Sequence, residues 1–350
     1  MTERAFIVPA DLPGPSGGSI YNLRVLEAWR DVGMTIPEVA IPGAWPRPSL
    51  GDRESLRAAI QDHDRVLIDG IIASAAPQEI SEATARGTEV AILVHLPLPA
   101  ESGLSSTEQN ALAAGERAAV QAASAVVATS RWARDDLQSR YGLTTVAVAE
   151  PGVQPATLST GGTPPQLMFL GAVTPRKNPL LLIEALRKLS HLRWNLVIAG
   201  PLTQDPEYAA KMHDAARGLS PERVTVTGPV DGRDLEELWQ RTDLLALPSL
   251  AETYGMVVTE ALARSIPTLV GAGTGAAEAL LGHPGSARSN LDAPGAAIDP
   301  LDTAAWRQAL QTWLEDDTLR RRWHTAAGHH RARLRTWSEA AQELRTAIHW

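Results

Sequence analysis

Short runs of β-branched and aliphatic residues alternate with amphipathic stretches of helical length along most of the chain, and that rhythm admits few folds. Runs at 5–9, 66–69, 90–94 and 125–129 read as strands, and helical periods occupy 20–31, 55–61, 77–86, 107–122 and 131–141 between them. Strand–helix alternation needs crossover connections, which are right-handed, so the strands form a parallel sheet covered by helices. The rhythm breaks once, at 154–165 (QPATLSTGGTPP), where Pro, Gly, Ser and Thr dominate and the chain reads as a linker. It then restarts, with strands at 167–170, 195–199, 224–227, 244–247 and 268–270 and helices at 179–189, 206–217, 235–241, 255–264 and 303–314. The length of 350 residues exceeds one ordinary core and suits two.

The expected architecture is α/β, with two Rossmann-like doubly wound domains facing across a cleft. The N-terminal domain takes residues 1–153, the linker 154–165 and the C-terminal domain 166–334. Residues 319–350 read as further helix, and a C-terminal helix at about 335–350 is placed to pack back onto the first domain, with Trp323, Trp337 and Trp350 against the body of the protein. In open α/β sheets ligands sit at the carboxyl ends of strands, so that is where the chemistry is sought.

Composition removes several function classes. The chain has no cysteine, which excludes disulfides, thiolate metal sites and cysteine nucleophiles. Net charge is −8, against the basic footprint that nucleic acid requires. Six arginines between Arg320 and Arg335 form the one basic stretch, read as solvated helix faces. No segment approaches the roughly 20 apolar residues of a membrane span, and the N-terminus lacks the apolar core of a signal peptide. A cytoplasmic protein is expected.

Four places carry candidate chemistry. The first strand runs into Asp11-Leu-Pro-Gly-Pro-Ser-Gly-Gly-Ser19, so Gly17 and Gly18 lie where a strand turns into a helix. Backbone N–H groups there could hold a diphosphate or admit a substrate closely, or simply make a tight turn. The strand at 90–94 runs into His95, which could meet a sugar hydroxyl or a transferring group, or be a satisfied structural histidine. The second domain opens on a strand followed by Gly171, Arg176 and Lys177 before a helix start, a combination suited to an anion. The fourth place is Ala251-Glu-Thr-Tyr-Gly-Met-Val-Val-Thr-Glu-Ala-Leu262, after the strand at 244–247. Glu252 lies in a loop and Glu260 in the next helix. With a first turn near Tyr254, the N–H groups of Tyr254, Gly255 and Met256 point at a ligand. Glu260, one turn after Met256, can then accept both hydroxyls of a ribose.

The run Glu252–Glu260, with Ala-Leu following, resembles the E-x7-E motif of the family 4 retaining glycosyltransferases, which have the GT-B fold (glycosyl transferases group 1). The resemblance covers most of the chain. Gly17-Gly18 is similar to that family's glycine loop, His95 to its first-domain histidine, and Lys177 to its phosphate-binding lysine. LVIAGP at 196–201 and VTGPV at 226–230, with Gly228 and Val230, resemble its strand ends near the base. Glu150-Pro-Gly-Val153 resembles its hinge with the usual asparagine missing. The resemblance implies that Glu252 and the N–H groups after it, from Thr253 to Met256, hold sugar hydroxyls, and that Glu260 holds the ribose. It implies catalytic roles for His95, Lys177 and Glu252. The family's arginine after the glycine is replaced here by Ala172, which leaves open whether Arg176 supplies that charge.

The function so implied is transfer of a hexose, with retention and without metal, from a nucleotide-diphosphate sugar (UDP ahead of GDP) to an acceptor. No cofactor is expected beyond the nucleotide sugar as co-substrate. Asp62-His-Asp64 matches the D-x-D of metal-dependent sugar transferases but precedes a strand rather than following one, so no metal is assigned to it. Residues 1–160 carry 12 Arg or Lys against 19 Asp or Glu, which favours a soluble small-molecule or glycan acceptor over a membrane lipid. Two rivals remain at this point: a nucleotide-sugar epimerase or sugar phosphorylase of the same fold, and a non-catalytic sugar-nucleotide-binding module. Oligomeric state is not legible.

Overall fold

The computed structural model describes residues 2–11, 16–101, 104–220 and 222–350. The chain divides into two compact units. One comprises residues 1–152 with Arg335–Trp350, the other Val153–Leu334.

The first unit is a six-stranded parallel sheet. Its strands are β1 (Thr2–Pro9), β2 (Glu38–Ile41), β3 (His63–Asp69), β4 (Glu89–Val94), β5 (Ala125–Ala128) and β6 (Ala147–Val148), in the order β2-β1-β3-β4-β5-β6. Helices α1 (Gly17–Asp31), α2 (Leu50–Gln61), α3 (Gly70–Ala73), α4 (Pro77–Ala85), α5 (Ser106–Ala122) and α6 (Arg131–Tyr141) connect them. The central strands are buried on both faces, which is why they read as unbroken apolar runs. One face is closed by α1 and by the C-terminal segment. There Phe6, Val8, Val25, Leu26 and Trp29 pack with Ala341, Leu344 and Ile348. The Trp29 indole N–H donates to Ala341 O at 2.9 Å.

The second unit is also a six-stranded parallel sheet. Its strands are β7 (Gln166–Leu170), β8 (Asn195–Ala199), β9 (Val224–Gly228), β10 (Thr242–Leu247), β11 (Thr268–Gly271) and β12 (Gly295–Ile298), in the order β12-β11-β10-β7-β8-β9. Its helices are α7 (Leu180–Arg187), α8 (Pro206–Arg217), α9 (Gly232–Arg241), α10 (Met256–Ala263), α11 (Gly275–Leu281), α12 (Thr303–Glu315) and α13 (Asp317–Arg331). The last helix, α14 (Trp337–Ala347), belongs to the first unit. Residues 154–165 have no helix or strand but are not loose. Ser159 N donates to Arg264 O at 3.1 Å, and Gly162 N to the Asp243 carboxylate at 2.9 Å. This Pro/Gly-rich stretch is strapped to the second unit.

Each sheet has a point where the chain, having built strands to one side of its first strand, returns to build on the other. In the first unit this switch lies between β1 and β3; in the second, between β7 and β10. Loops leaving two such neighbouring strands diverge to opposite faces and leave a crevice, where ligands of open α/β sheets bind. Among the described residues no helix is long and apolar enough to cross a membrane.

Candidate functional site

In the second unit, the loops that leave β7 and β10 meet at the switch point. Leu250 N donates to Arg176 O at 2.7 Å, and Arg176 Nη1 returns a bond to Ala251 O at 3.1 Å. This contact joins the two loops and sets Lys177 against Glu252. The Lys177 ammonium forms an ion pair with Glu252 Oε2, and the Ser249 hydroxyl donates to the same oxygen at 3.3 Å. Glu252 is 8% exposed. Burial pushes its carboxyl up, but Lys177 and then Arg176 outweigh burial and hold it below the ordinary carboxylate range. Glu252 is therefore an anion at neutral pH. Arg176 is bonded to the main chain of the Glu252 loop at Ala251, and its charge lies near the Glu252 carboxylate.

Two glycines make this meeting possible, and sequence reasoning missed both. A Cβ on Gly275 would lie 1.7 Å from Thr253 O, and one on Gly271 2.2 Å from Ser249 O. Gly275 N donates to Glu252 O at 2.7 Å, so the start of α11 holds the backbone of the acidic loop. The available signal was the cluster Gly271-Ala-Gly-Thr-Gly275 after a strand.

Gly255, left-handed at φ 79°, caps α10, whose first helical residue is Met256. The expected first turn near Tyr254 is thus corrected by two residues: Tyr254 is 4% exposed and its ring is part of the core. Thr253 is also buried, at 8%. Among the described residues no backbone acceptor takes the N–H of Gly255 or Met256. On α10 the residues Val258, Thr259, Ala261, Leu262 and Ala263 are buried, which leaves Met256, Val257 and Glu260 on the more open side. Glu260 therefore shares a face with the helix N-terminus, one turn away.

Gly228 and Val230 lie at the end of edge strand β9, two strands from β7. The strand ends are stitched together: Gly171 N donates to Ala199 O at 2.9 Å and Gly200 N to Gly228 O at 2.8 Å. A Cβ on Gly200, whose φ is +139°, would lie 2.0 Å from Gly171 O, so this crossing admits only glycine. Gly228 and Val230 line the same end of the sheet as Lys177 without a hydrogen bond to it.

In the first unit, Leu12–Pro15 of the glycine loop lie outside the described residues. Gly17 and Gly18 are not in the loop but form the first turn of α1, capped by Ser16 and Ser19 through a reciprocal box with Ser19 N to Ser16 Oγ at 3.1 Å. Gly18 has a specific packing role. A Cβ there would lie 2.9 Å from His95 Cδ2, so the imidazole rests directly on the helix backbone. Tyr21 meets the ring edge-on, with centroids 5.2 Å apart. Asn22 Oδ1 lies 2.8 Å from His95 Nε2, and Asn22 Nδ2 donates to Asp69 Oδ2 at 2.8 Å. Gly18, Tyr21 and Asn22 are spaced i, i+3, i+4, one helix face. Burial pushes the His95 imidazole below its ordinary value, against a smaller opposing pull from Asp69. Asn22 and Asp69 were not singled out in the sequence.

After His95 the chain is held by Glu116 on α5, which is fully buried and accepts from Leu98 N at 3.0 Å and Tyr141 Oη at 2.6 Å. Asp11 is exposed and accepts from Gly43 N at 3.1 Å. Asp62 and Asp64 flank the start of β3, the end of the strand opposite to Asp69. Among the described residues no group of three or more His, Asp and Glu is placed to hold a metal ion.

Residues 154–330 match the glycosyl transferases group 1 family. Two similar sequences are D-inositol 3-phosphate glycosyltransferases. The one from Xylanimonas cellulosilytica is 31% identical, covering 66% of this chain and 58% of the relative. The one from Kineococcus radiotolerans is 30% identical, covering 63% and 54%. The chain spans about half the length of the curated relatives it matches. Among solved structures, sucrose-phosphate synthase from Thermosynechococcus elongatus superposes with a TM-score of 0.78 at 17% identity, covering 99% of this chain and 98% of that one. Anabaena HepE, in complex with UDP and glucose, superposes with a TM-score of 0.76 at 17% identity over the whole of both chains. The two parallel six-stranded sheets with their helices are those of the GT-B fold.

Proposed function

The chain belongs to the glycosyl transferases group 1 family, and from that premise we propose that it is a family 4, E-x7-E transferase. It moves a hexose from a nucleotide-diphosphate sugar, UDP- ahead of GDP-, to a small soluble acceptor with retention and without a metal ion. The observation that carries this reading is the Lys177–Glu252 pair at the β7/β10 switch point, beside the N-terminus of α10. A cation, a buried carboxylate and a helix start within one crevice match what a sugar diphosphate presents. The diphosphate takes Lys177 and the N–H groups at Gly255 and Met256; the sugar hydroxyls donate to Glu252. Donor entry then exchanges the Lys177–Glu252 pair for a Lys177–diphosphate pair, while Glu252 keeps the Ser249 hydroxyl and the nearby Arg176 charge and gains the sugar hydroxyls. Glu260, on the same side of α10, accepts the ribose hydroxyls. Gly228 and Val230 lie toward the base.

In the transfer, the bond from C1 to the phosphate oxygen breaks and negative charge grows on the leaving diphosphate. Lys177 and the α10 N-terminus are aimed at that charge, which is the electrostatic part of catalysis. The acceptor oxygen attacks C1 from the same face, and its proton passes to the departing phosphate oxygen. The charge already supplied by Lys177 does the work a divalent cation would do. The acceptor is a phosphorylated cyclitol or similar polyol, a class suggested by the names of the relatives.

The experiment is a thermal-shift screen of UDP- and GDP-sugars, in which a ligand at about 100 times its Kd adds about 2.7 kcal/mol. Turnover with the best donor follows, over an acceptor panel that includes inositol 3-phosphate, with EDTA present. With an α-gluco donor the first product should show a small anomeric proton coupling. A large coupling before mutarotation overturns retention, and loss of activity to EDTA with recovery on Mn²⁺ overturns the metal-free phosphate site.

A further inference from the structure

The hydrogen-bond chain around His95 determines more than its position. Asp69 ends β3 and is 4% exposed. Its Oδ1 accepts from Ile71 N at 3.0 Å and its Oδ2 from Asn22 Nδ2 at 2.8 Å. Asn22 is 5% exposed and turns its Oδ1 to His95 Nε2 at 2.8 Å. A carboxylate only accepts, so the Asn22 amide must present NH₂ to Asp69 and its carbonyl to the imidazole. A carbonyl also only accepts, so Nε2 must carry the proton. The 3.5 Å approach of Asp69 Oδ2 to Nε2 favours the same arrangement. Turning the ring over would put Cε1 where Nε2 stands and forfeit the bond to Asn22, so that bond, with Gly18 and Tyr21 packed against the imidazole, selects this orientation. Nδ1 has no hydrogen-bond partner among the described residues, and the side chain keeps 16% exposure.

We propose that Asp69 and Asn22 are positioning residues that fix His95 as the Nε2–H tautomer and so present Nδ1 as a hydrogen-bond acceptor to the substrate. This rests on the transferase reading for the identity of the substrate, though not for the tautomer itself. The consequence is a selection rule. An unprotonated Nδ1 attracts a hydroxyl, which has a proton to give, and repels a phosphate oxygen, which has none. His95 thus selects a substrate hydroxyl over a phosphate oxygen. Burial, which keeps the imidazole neutral, acts in the same direction.

The test starts with the wild-type protein without substrate. Proton-correlated ¹⁵N NMR of labelled histidine at neutral pH should show His95 with a protonated Nε2 and a bare Nδ1. A proton on Nδ1, or on both nitrogens, overturns the proposal. Asp69→Asn removes the carboxylate that orients Asn22, since either face of the new amide can meet it. A mixture of tautomers should appear, and turnover should fall roughly threefold to tenfold, the loss of one neutral hydrogen bond, while affinity for UDP stays within about twofold. An unchanged tautomer and unchanged kcat in folded Asp69→Asn overturn it. Should that variant fail to fold, Asn22→Asp serves. It keeps an acceptor on Nε2 but places a second carboxylate, beside Asp69 and with Tyr21 the other titratable neighbour, against the ring. His95 should then stay doubly protonated to higher pH, with turnover lost where Nδ1 is protonated; no change in His95 titration overturns the proposal. If wild-type protein transfers no sugar at all, the functional reading fails while the NMR result still decides the tautomer.

Discussion

Replacing Lys177 with Met leaves Glu252 a carboxylate without its ion-pair partner at a position only 8% exposed. The two side chains retain 16% and 11% exposure, so the pair is far drier than the surface pairs that contribute about 0–1 kcal/mol. Removing one partner of a buried pair costs about 3–5 kcal/mol. The Ser249 hydroxyl at 3.3 Å and the neighbouring Arg176 charge remain, which sets the expected loss near the lower end, about 3 kcal/mol. Urea denaturation at neutral pH should read this directly. The pH dependence has a definite sign. In the native protein the Glu252 carboxyl is held down, so its contribution to stability is complete above the unfolded value and is lost as pH falls through the folded one. In Lys177→Met, burial is opposed by Arg176 and Ser249 alone, and the carboxyl moves up. The deficit of the variant should therefore shrink as pH falls from neutral toward an unperturbed glutamate value of about 4.3. Glu252→Gln on top of Lys177→Met should recover much of the loss, with a coupling of about 1–3 kcal/mol in the double-mutant cycle. Additive losses, or a Lys177→Met deficit that does not change with pH, would refute the argument that these two charges hold each other in the fold.

Glu260→Ala should weaken nucleotide binding about 10- to 150-fold in calorimetry, the loss of hydrogen bonds to a charged group worth about 1.5–3 kcal/mol; unchanged affinity in folded protein would remove the ribose assignment. Gly18→Ala brings a methyl to 2.9 Å from the His95 ring and should cost about 1–3 kcal/mol of stability. Its turnover should fall with UDP affinity retained, and equal losses in both would place His95 elsewhere.

The central strands of both sheets were legible because a strand buried on both faces is an unbroken apolar run. The three strands that sequence reading missed, β2, β6 and β12, all lie at sheet edges. Of the four residues in β2, Ile41 alone is buried; β6 has two residues, both half-exposed; β12 is Gly-Ala-Ala-Ile. None has the length or the apolar continuity that marks a strand against a loop. The fourth edge, β9, was found because Val-Thr-Val-Thr is an unbroken run of β-branched residues. Strand order is a different matter. It depends on which runs lie side by side, and local period carries no information about neighbours.

That distinction also separates the legible half of the candidate site from the illegible half. Glu252 and Glu260 were visible because they share one loop and one helix, where spacing translates into geometry. The partner of Glu252 was not visible: Lys177 is 75 residues away and reaches it only because β7 lies beside β10. Asn22 stands 47 residues from Asp69 and 73 from His95, and the three meet because β1 lies beside β3 and β3 beside β4. In both units the charged cluster forms where the chain returns past its first strand. A glycine in such a place can carry a constraint that its local sequence does not show. Gly18 reads as part of a turn that could hold a diphosphate, admit a substrate or simply turn the chain; the structure adds a constraint from an imidazole ring much later in the sequence. Local motif fixes what a residue can do chemically; the switch point fixes which residue it does it with. The pairings that most constrain the mechanism here, Lys177 with Glu252 and Asn22 with both Asp69 and His95, are of the second kind.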